Sequence, residues 1–322
     1  MNYDKREIRT WSMIGMTGIF GLAMNELDRE VENLCVVTAD LCSFSGLERF
    51  SREHSKRFFN VGIAEQNLVG IASGLASEGM NVFAATYATF ATTRALDQVR
   101  INMGYMQLPV KLIGLTAGFA SGILGATHMA LEDIAIMRAI PNITILSPSD
   151  CTEAIKCMEA AAKYEGPVYI RLSGDTRMPV IYKEDFEYEI GKNITLREGK
   201  DISIFATGSM VSVALQVAAS LEQYNVQAQV VDVHTLKPFD YKSLDMLSKK
   251  KLIITLEEHS KIGGLGSIIG EYLAEQSTLS RLLKFGTEDC YLHAATYKRL
   301  LEESGLTQQN LVDKILKFME KN

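Results

Sequence analysis

The sequence lacks a disulfide pattern, an excess of positive charge and a long hydrophobic run. Its 322 residues include five cysteines, an odd number with no C-x-x-C pair, which predicts reduced thiols in a cytoplasmic protein. Lys and Arg number 33 against 39 Asp and Glu, so a net charge of −6 argues against nucleic acid as the main partner. No stretch reaches the roughly 20 apolar residues of a membrane span. We therefore expect neither a nucleic-acid nor a membrane partner.

The sequence also has no metal-binding motif and no nucleotide-binding glycine loop. Cys290 and His293 supply only two possible ligands, and no His-Glu-x-x-His is present. The glycines at 264, 266 and 270 miss the dinucleotide spacing, which favours a tight structural turn. We expect no metal bound by this chain alone.

Short β-branched runs alternate with helical patterns along most of the chain, and 47% of the residues are hydrophobic. Alternation of this kind predicts parallel strands joined by crossover helices, with ligands at the carboxyl ends of the strands. Polar and charged residues interrupt the pattern after residue 173. The sequence therefore predicts an α/β protein with a first domain at 1–175, a linker at 176–200 and a second domain at 201–322, each with a mostly parallel sheet flanked by helices.

One carboxylate stands where a predicted strand runs directly into a helix. Glu65 falls in the first helical turn, between Ile63, Ala64 and Leu68. It could simply complement the helix dipole. It could also be a carboxyl group in apolar surroundings that holds or shares a proton with a ligand nitrogen. Spacing alone leaves both interpretations open.

Aromatic rings and a glycine-rich loop follow at the next two strand ends. Tyr87 and Phe90 lie between a strand and a helix, where a planar ligand could stack on them or where they could pack into the core. The segment 114–128 is rich in glycine and ends in His128, which could act as an acid or base toward a substrate or could be structural.

Taken together, these segments resemble the C-terminal half of transketolases, specifically the smaller subunit of a transketolase split over two chains. The resemblance covers almost the whole chain in the expected order. The residues that carry it are 57–67, 86–100, His128 with 130–138, 148–150, 234–238, Glu258-His259 and 263–267. It implies a pyrimidine-binding domain for thiamine diphosphate followed by the family's C-terminal domain.

The resemblance assigns roles to four residues. Glu65 matches the glutamate that bonds the pyrimidine ring nitrogen of thiamine diphosphate and promotes the imino tautomer that activates the thiazolium carbon. Phe90 matches the aromatic residue that stacks on the pyrimidine, and Tyr87 sits where a flanking aromatic is usual. His128 matches a substrate-facing histidine that assists proton movement at the sugar hydroxyls.

The family binds the diphosphate through Mg²⁺ (or Ca²⁺) and a Gly-Asp-Gly segment, and this chain has no Gly-Asp-Gly. The resemblance therefore implies that a large subunit supplies the diphosphate and metal site. Because the two domain types normally face each other across a subunit interface, we expect an α2β2 heterotetramer.

The sugar pocket departs from the family pattern. Leu124 stands where an acid is common and cannot accept a hydrogen bond from a sugar hydroxyl. Thr116 aligns with a phosphate-binding histidine, and Gly174 and Met13 or Ile14 align with arginines. Each lost contact to phosphate is worth about 1.5 to 3 kcal/mol. Either Arg171, Arg177 or the large subunit binds the anion, or the donor is an atypical ketose, for instance sulfonated or branched.

Three other functions stay open at this point. A 2-oxo acid dehydrogenase β subunit or half of a deoxyxylulose phosphate synthase would use the same cofactor but release CO₂. A non-catalytic scaffold or regulatory homologue would also account for the altered pocket. The glycine loop with His128 favours transketolase over the dehydrogenase, and retention of Glu65 and Phe90 argues against a scaffold.

Overall fold

Two α/β units follow one another in the computed structural model, which describes residues 3–247, 250–276 and 280–320. The first unit begins with a long helix, α1, whose N-terminus is capped by the Asp4 side chain. The elements of this unit are α1 Lys5–Leu27, β1 Leu34–Thr38, α2 Glu48–Glu53, β2 Phe58–Asn60, α3 Glu65–Ser77, β3 Asn81–Tyr87, α4 Leu96–Gln98, β4 Lys111–Ala117, α5 Asp133–Ala139, β5 Thr144–Leu146, α6 Cys151–Lys163 and β6 Val168–Ser173.

The second unit repeats the alternation on a smaller sheet. Its elements are β7 Ile194–Arg197, β8 Ile202–Ala206, α7 Met210–Leu221, β9 Ala228–Asp232, β10 Thr235–Lys237, α8 Tyr241–Leu247, β11 Leu252–Ser260, α9 Leu265–Glu275, β12 Arg281–Thr287, α10 Tyr297–Glu303 and α11 Gln308–Glu320. Strand order in its sheet is β12-β11-β8-β9-β7, and only the edge strand β7 is antiparallel to its neighbour.

The first sheet has seven strands in the order β10-β5-β6-β4-β3-β1-β2. Six of them come from the first unit and pair in parallel, so their carboxyl ends share one edge. The seventh, β10, comes from the second unit and pairs antiparallel with β5. The central strands β1 and β4 are buried along their whole length, as expected for a parallel sheet covered by helices on both faces.

The hydrophobic core extends across both units. One cluster of buried side chains contains Leu68 and Leu112 of the first unit together with Val231 and Leu265 of the second. Because burial of apolar surface dominates folding, the shared cluster joins the two units into one packed body. Among the described residues, no helix is both long enough and apolar enough to cross a membrane.

The predicted fold class is confirmed: there are two α/β domains with mostly parallel sheets. The alternation of strands and helices predicted from the sequence is observed in the first unit, from β1 to β6. Two short strands were not predicted. β7 lies inside the segment 176–200 that was interpreted as a linker, and β10 crosses from the second unit to the sheet of the first. Both pair antiparallel with a strand that is distant in the sequence, so the alternation expected of parallel strands and crossover helices does not indicate them.

Candidate active site

The loops that follow β2, β3 and β4 meet at the carboxyl edge of the first sheet and bring the predicted site residues together. After β2, Gly62 turns the chain with a φ of 73°, a conformation that favours glycine. Helix α3 then begins at Glu65, whose side chain is only 3% exposed. The carboxylate therefore lies where the sequence predicted it, at the start of a helix and out of bulk water.

Glu65 has an ionic partner that the sequence did not indicate. The Nη1 atom of Arg94 donates a hydrogen bond to Oε2 of Glu65 at 2.8 Å. The neighbouring Leu68 and Val69 are fully buried. Of the apolar neighbours expected from the sequence, Leu68 is buried but Ile63 is 77% exposed, and a half-exposed guanidinium bonds the carboxylate.

Tyr87, Phe90 and His128 form an aromatic cluster beside this carboxylate. The centroid of the His128 ring lies 5.2 Å from that of Phe90 and 5.5 Å from that of Tyr87, both in edge-to-face geometry. Phe44, from the loop after β1, adds a fourth ring 5.4 Å from Tyr87. The rings therefore make a partly open apolar wall at the strand ends, where a planar group could stack.

The helix that carries Phe90 and Arg94 is irregular. Residues Phe90–Arg94 and Val99–Tyr105 are π-helical and flank the single α-helical turn α4. π-Helical turns are rare and occur frequently at functional sites. Here the irregular helix presents the Phe90 ring and the Arg94 guanidinium on the same side, with the guanidinium carbon 3.9 Å from the ring centroid.

The glycine-rich loop that ends at His128 is held by the second unit. Glu258 accepts a hydrogen bond from the backbone N–H of Phe119, and the hydroxyl groups of Ser209 and Tyr297 also donate to it. A Cβ atom at Gly118 would overlap Oε1 of Glu258, so this position requires glycine. Burial raises the pKa of Glu258. His128 itself is half-buried, with Nδ1 2.9 Å from Oγ1 of Thr127.

The predicted sugar-contacting residues do not share one environment. Leu124 is 48% exposed at the tip of the glycine loop, next to the exposed Ile123. Thr116 is buried with a φ of 53°, and its hydroxyl accepts a hydrogen bond from Ser121 at 2.9 Å. Arg177 is exposed in the loop after β6, beside the kink at Gly15 in α1.

Arg171 lies in the protein interior and is not available to a substrate. Its Nε donates to Oδ2 of Asp133 at 2.8 Å and its Nη2 donates to the backbone carbonyl of Glu258, also at 2.8 Å. The side chain is 1% exposed. The prediction that Arg171 binds the substrate's anion is therefore not supported, because its donors are used between the two units.

Arg171 belongs to one of two buried polar clusters that we together call the junction. The first contains Asp133, Arg171, Glu258 and His259, and the second contains Glu153 and Asp232. In the second cluster, Oγ of Ser149 lies 2.8 Å from a carboxyl oxygen of Glu153 and 2.8 Å from one of Asp232. Burial raises the pKa of both carboxyl groups. Burial also lowers the pKa of His259 to about 4, so its ring is neutral near pH 7.

Sequence reasoning gave no role to three residues of the site, Arg94, Phe44 and Glu258, although Arg94 and Glu258 lie in segments that carry the resemblance. Arg94 follows Phe90 by four residues, a spacing that places both on one side of a helix, and this signal could have been used. Phe44 and Glu258 have no local signal, because their partners lie far away in the sequence. Within the described ranges, no group of three or more His, Cys, Asp or Glu side chains could hold a metal ion.

Comparisons with known proteins match both units. The family model described as the transketolase pyrimidine binding domain matches residues 12–176, and the one described as the transketolase C-terminal domain matches residues 191–311. A solved structure described as a split gene transketolase, inactive beta4 tetramer, is 39% identical with a TM-score of 0.87, covering 94% of this chain and 97% of that one.

Two relatives are subunits of similar length. An apulose-4-phosphate transketolase subunit of Phocaeicola vulgatus is 35% identical over 312 residues, which is 96% of this chain and 99% of the relative. The 6-deoxy-6-sulfo-D-fructose transketolase subunit SqwH of Clostridium sp. is 37% identical over 290 residues, 89% of each chain.

Proposed function

The chain belongs to the transketolase family, and from this premise we propose that it is the pyrimidine-binding subunit of a two-chain, thiamine-diphosphate-dependent transketolase. The reaction is the transfer of a two-carbon ketol unit from a ketose to an aldose phosphate. The observation that carries the proposal is the convergence of Glu65, Phe90 and His128 at one edge of the first sheet.

The residues at this edge fit the aminopyrimidine ring of thiamine diphosphate. Such a ring needs a carboxyl group for its ring nitrogen and a flat apolar surface for its face. Glu65 supplies a buried carboxyl group at the start of α3, and Phe90 supplies the aromatic face. When bound, the cofactor provides the nucleophilic carbon that carries the ketol unit. Tyr87 flanks the face, and Glu65 would hold or share a proton with the ring nitrogen.

His128 is the candidate acid or base for the sugar hydroxyls. Its ring lies 5.2 Å from that of Phe90, so it stands beside the place where the pyrimidine would stack. The glycine-rich loop carries it, and Glu258 fixes the start of that loop. A neutral or charged imidazole can move a proton near neutral pH, which suits the transfer of a proton at a sugar hydroxyl.

A large subunit would complete the site. This chain has no Gly-Asp-Gly segment for the diphosphate, and large apolar side chains of β2 and of the loops after β1, β2 and β4 are exposed: Phe44, Phe59, Ile63, Ile123 and Leu124 are each at least 38% exposed. Large exposed apolar groups on one edge of a protein are typical of interaction sites. We propose that the large subunit covers this edge, binds Mg²⁺ (or Ca²⁺) with the diphosphate, and forms an α2β2 heterotetramer.

We further propose that the donor is an atypical ketose, for instance sulfonated or branched. Leu124 offers no hydrogen bond at the loop tip, the Thr116 hydroxyl is engaged with Ser121, and Arg171 is committed to the interior. Arg177, exposed after β6, remains the candidate of this chain for an anionic end group. Relatives whose names specify apulose 4-phosphate and 6-deoxy-6-sulfofructose support the choice of donor class.

The test reconstitutes this chain with a candidate large subunit, sought among the products of neighbouring genes, in the presence of thiamine diphosphate and Mg²⁺. Xylulose 5-phosphate, a sulfonated ketose and a branched ketose phosphate are compared as donors. We expect ketol transfer without CO₂ release and a preference for one of the atypical donors. Release of CO₂ would contradict transketolase activity, and a clear preference for xylulose 5-phosphate would contradict the donor class alone.

A variant tests the assigned role of Glu65 in the same assay. Glu65→Gln keeps the size of the side chain but cannot exchange the proton, so we expect activity to fall about 100-fold or more with assembly intact. Glu78→Gln, at the exposed C-terminal end of the same helix, is the matched control and should retain full activity. Full activity of Glu65→Gln would refute the role.

A further inference from the structure

The Arg94 side chain already occupies the contacts that an aminopyrimidine ring would make. Its Nη1 donates to Oε2 of Glu65 at 2.8 Å, and its guanidinium carbon lies 3.9 Å from the centroid of the Phe90 ring. One planar group thus bonds the buried carboxylate and covers the aromatic ring at the same time. These are the two contacts on which the proposed cofactor site depends.

The guanidinium group resembles an aminopyrimidine in the properties that matter here. It is planar, carries N–H donors in its plane, and stacks on aromatic faces. At 3.9 Å from the ring centroid it is in van der Waals contact, which leaves no space for a second planar group between Arg94 and Phe90. The guanidinium and the pyrimidine therefore compete for the same space on this side of the ring.

We propose that Arg94 is an internal competitor for the pyrimidine site, which it fills in the free chain and leaves when thiamine diphosphate binds. The inference rests on the proposed function, because it takes the aminopyrimidine as the ligand of Glu65 and Phe90. The contact also stabilises the free chain, because the Glu65 carboxylate, which is 3% exposed, would otherwise be buried without a charged partner.

The position of Arg94 allows this exchange. Its side chain is 45% exposed, so the displaced guanidinium can return to water without opening the core. It stands at the end of the π-helical turn Phe90–Arg94, where the backbone is already irregular. Glu65, by contrast, is held at the start of α3 and does not need to move.

The inference predicts that replacing Arg94 strengthens cofactor binding but lowers the stability of the free chain. Replacing a purely structural arginine would not have these opposite effects. Arg94→Met removes the charge and the donors but retains length and apolar character. We expect it to tighten the binding of thiamine diphosphate and to lower the urea midpoint of the free chain, because Glu65 loses its partner. A merely structural Arg94 would weaken both cofactor binding and stability when replaced.

The experiment measures the dissociation constant of thiamine diphosphate, with Mg²⁺, by isothermal titration calorimetry on the complex with the large subunit. We expect Arg94→Met to lower this constant by about fivefold. Arg100→Met, which removes an exposed arginine of the same irregular helix paired with Asp97, is the matched control and should leave the constant unchanged. Urea unfolding of the free chains supplies the second measurement.

The outcomes separate the two proposals. If the wild-type complex binds thiamine diphosphate and Arg94→Met binds it equally or more weakly, the competitor role is refuted and the proposed function stands. If neither complex binds it, both proposals fail. Tighter binding together with a lower urea midpoint of the free variant supports the competitor role.

Discussion

The junction and the carboxyl edge of the first sheet are both polar, but they use their polar groups in opposite ways. In the junction, Arg171 and Asp133 are at most 1% exposed and bond to each other and to the second unit. At the edge, Arg94 is 45% exposed and His128 is half-buried. The comparison teaches that charge at a strand end does not by itself mark a ligand site.

The largest expected effect is a loss of stability that tests the junction. Arg171→Met removes the cation of a buried ion pair and leaves Asp133 with the Tyr169 hydroxyl as donor. Removing one partner of a buried pair typically costs about 3 to 5 kcal/mol, because an uncompensated charge stays buried. We expect a loss of that size in the free energy of unfolding, measured with urea.

Arg177→Met is the control for that measurement, because Arg177 is exposed. Its stability should change by less than about 0.5 kcal/mol. If Arg171→Met were as stable as this control, the junction would not be a structural network, and the contrast with the edge would disappear.

The second prediction concerns the pH dependence of the junction. Burial raises the folded-state pKa of Asp232, so this group retains its proton at pH values where the unfolded chain, titrating near 4, has lost it. Its contribution to stability is full below pH 4 and is lost as the pH rises through the folded-state pKa, by about 1.4 kcal/mol per unit of pKa difference. His259, whose pKa is lowered, acts in the opposite direction.

Asp232→Asn removes this titration, because an amide does not titrate, and it also removes the charge that helps to raise the pKa of the neighbouring Glu153. We expect the stability of the variant, relative to wild type, to increase steadily when urea unfolding is repeated from pH 4 to pH 8. Asp289→Asn, on an exposed loop, should show a constant difference over the same range. A constant difference for Asp232→Asn as well would contradict the raised pKa.

Sequence patterns were reliable where one element determines the position of a residue. Glu65 lies at the start of α3 because β2 runs directly into that helix, and both signals are local. The aromatic pair Tyr87 and Phe90 follows from the end of β3 in the same way. The alternation of strands and helices also predicted the fold class, since hydrophobic periodicity is a local property.

The sequence could not provide what depends on pairing between distant segments. Arg171 stands in β6, where an arginine suggested a ligand contact, yet its role is decided by Asp133, 38 residues earlier. The strand β10 has only three residues, and its partner β5 lies about 90 residues before it. Likewise, nothing near Glu65 indicates that Arg94 covers it, because the contact spans 29 residues.

The third prediction tests which aromatic ring at the carboxyl edge of the first sheet stacks on the cofactor. Phe90→Leu removes the aromatic face but keeps an apolar side chain, so we expect the dissociation constant of thiamine diphosphate in the complex to rise three- to tenfold, or about 1 kcal/mol. The stability of the chain should change little. Phe44→Leu, whose ring contacts Tyr87, is the control and should have a smaller effect. Equal effects would mean that Phe90 is not the stacking face.

The smallest expected effect lies where the two regions meet. Tyr297→Phe removes the hydroxyl that donates to Glu258, while Ser209 and the backbone of Phe119 still donate to it. Because one hydrogen bond of three is lost, we expect a change of about 0.7 kcal/mol, seen as a two- to threefold rise in KM for the donor sugar with kcat nearly unchanged. Such a split would show that Glu258 positions the glycine loop for substrate and takes no part in the chemistry. A fall in kcat alone would instead place Glu258 in the reacting site, and the edge and the junction would then have to be regarded as one functional unit.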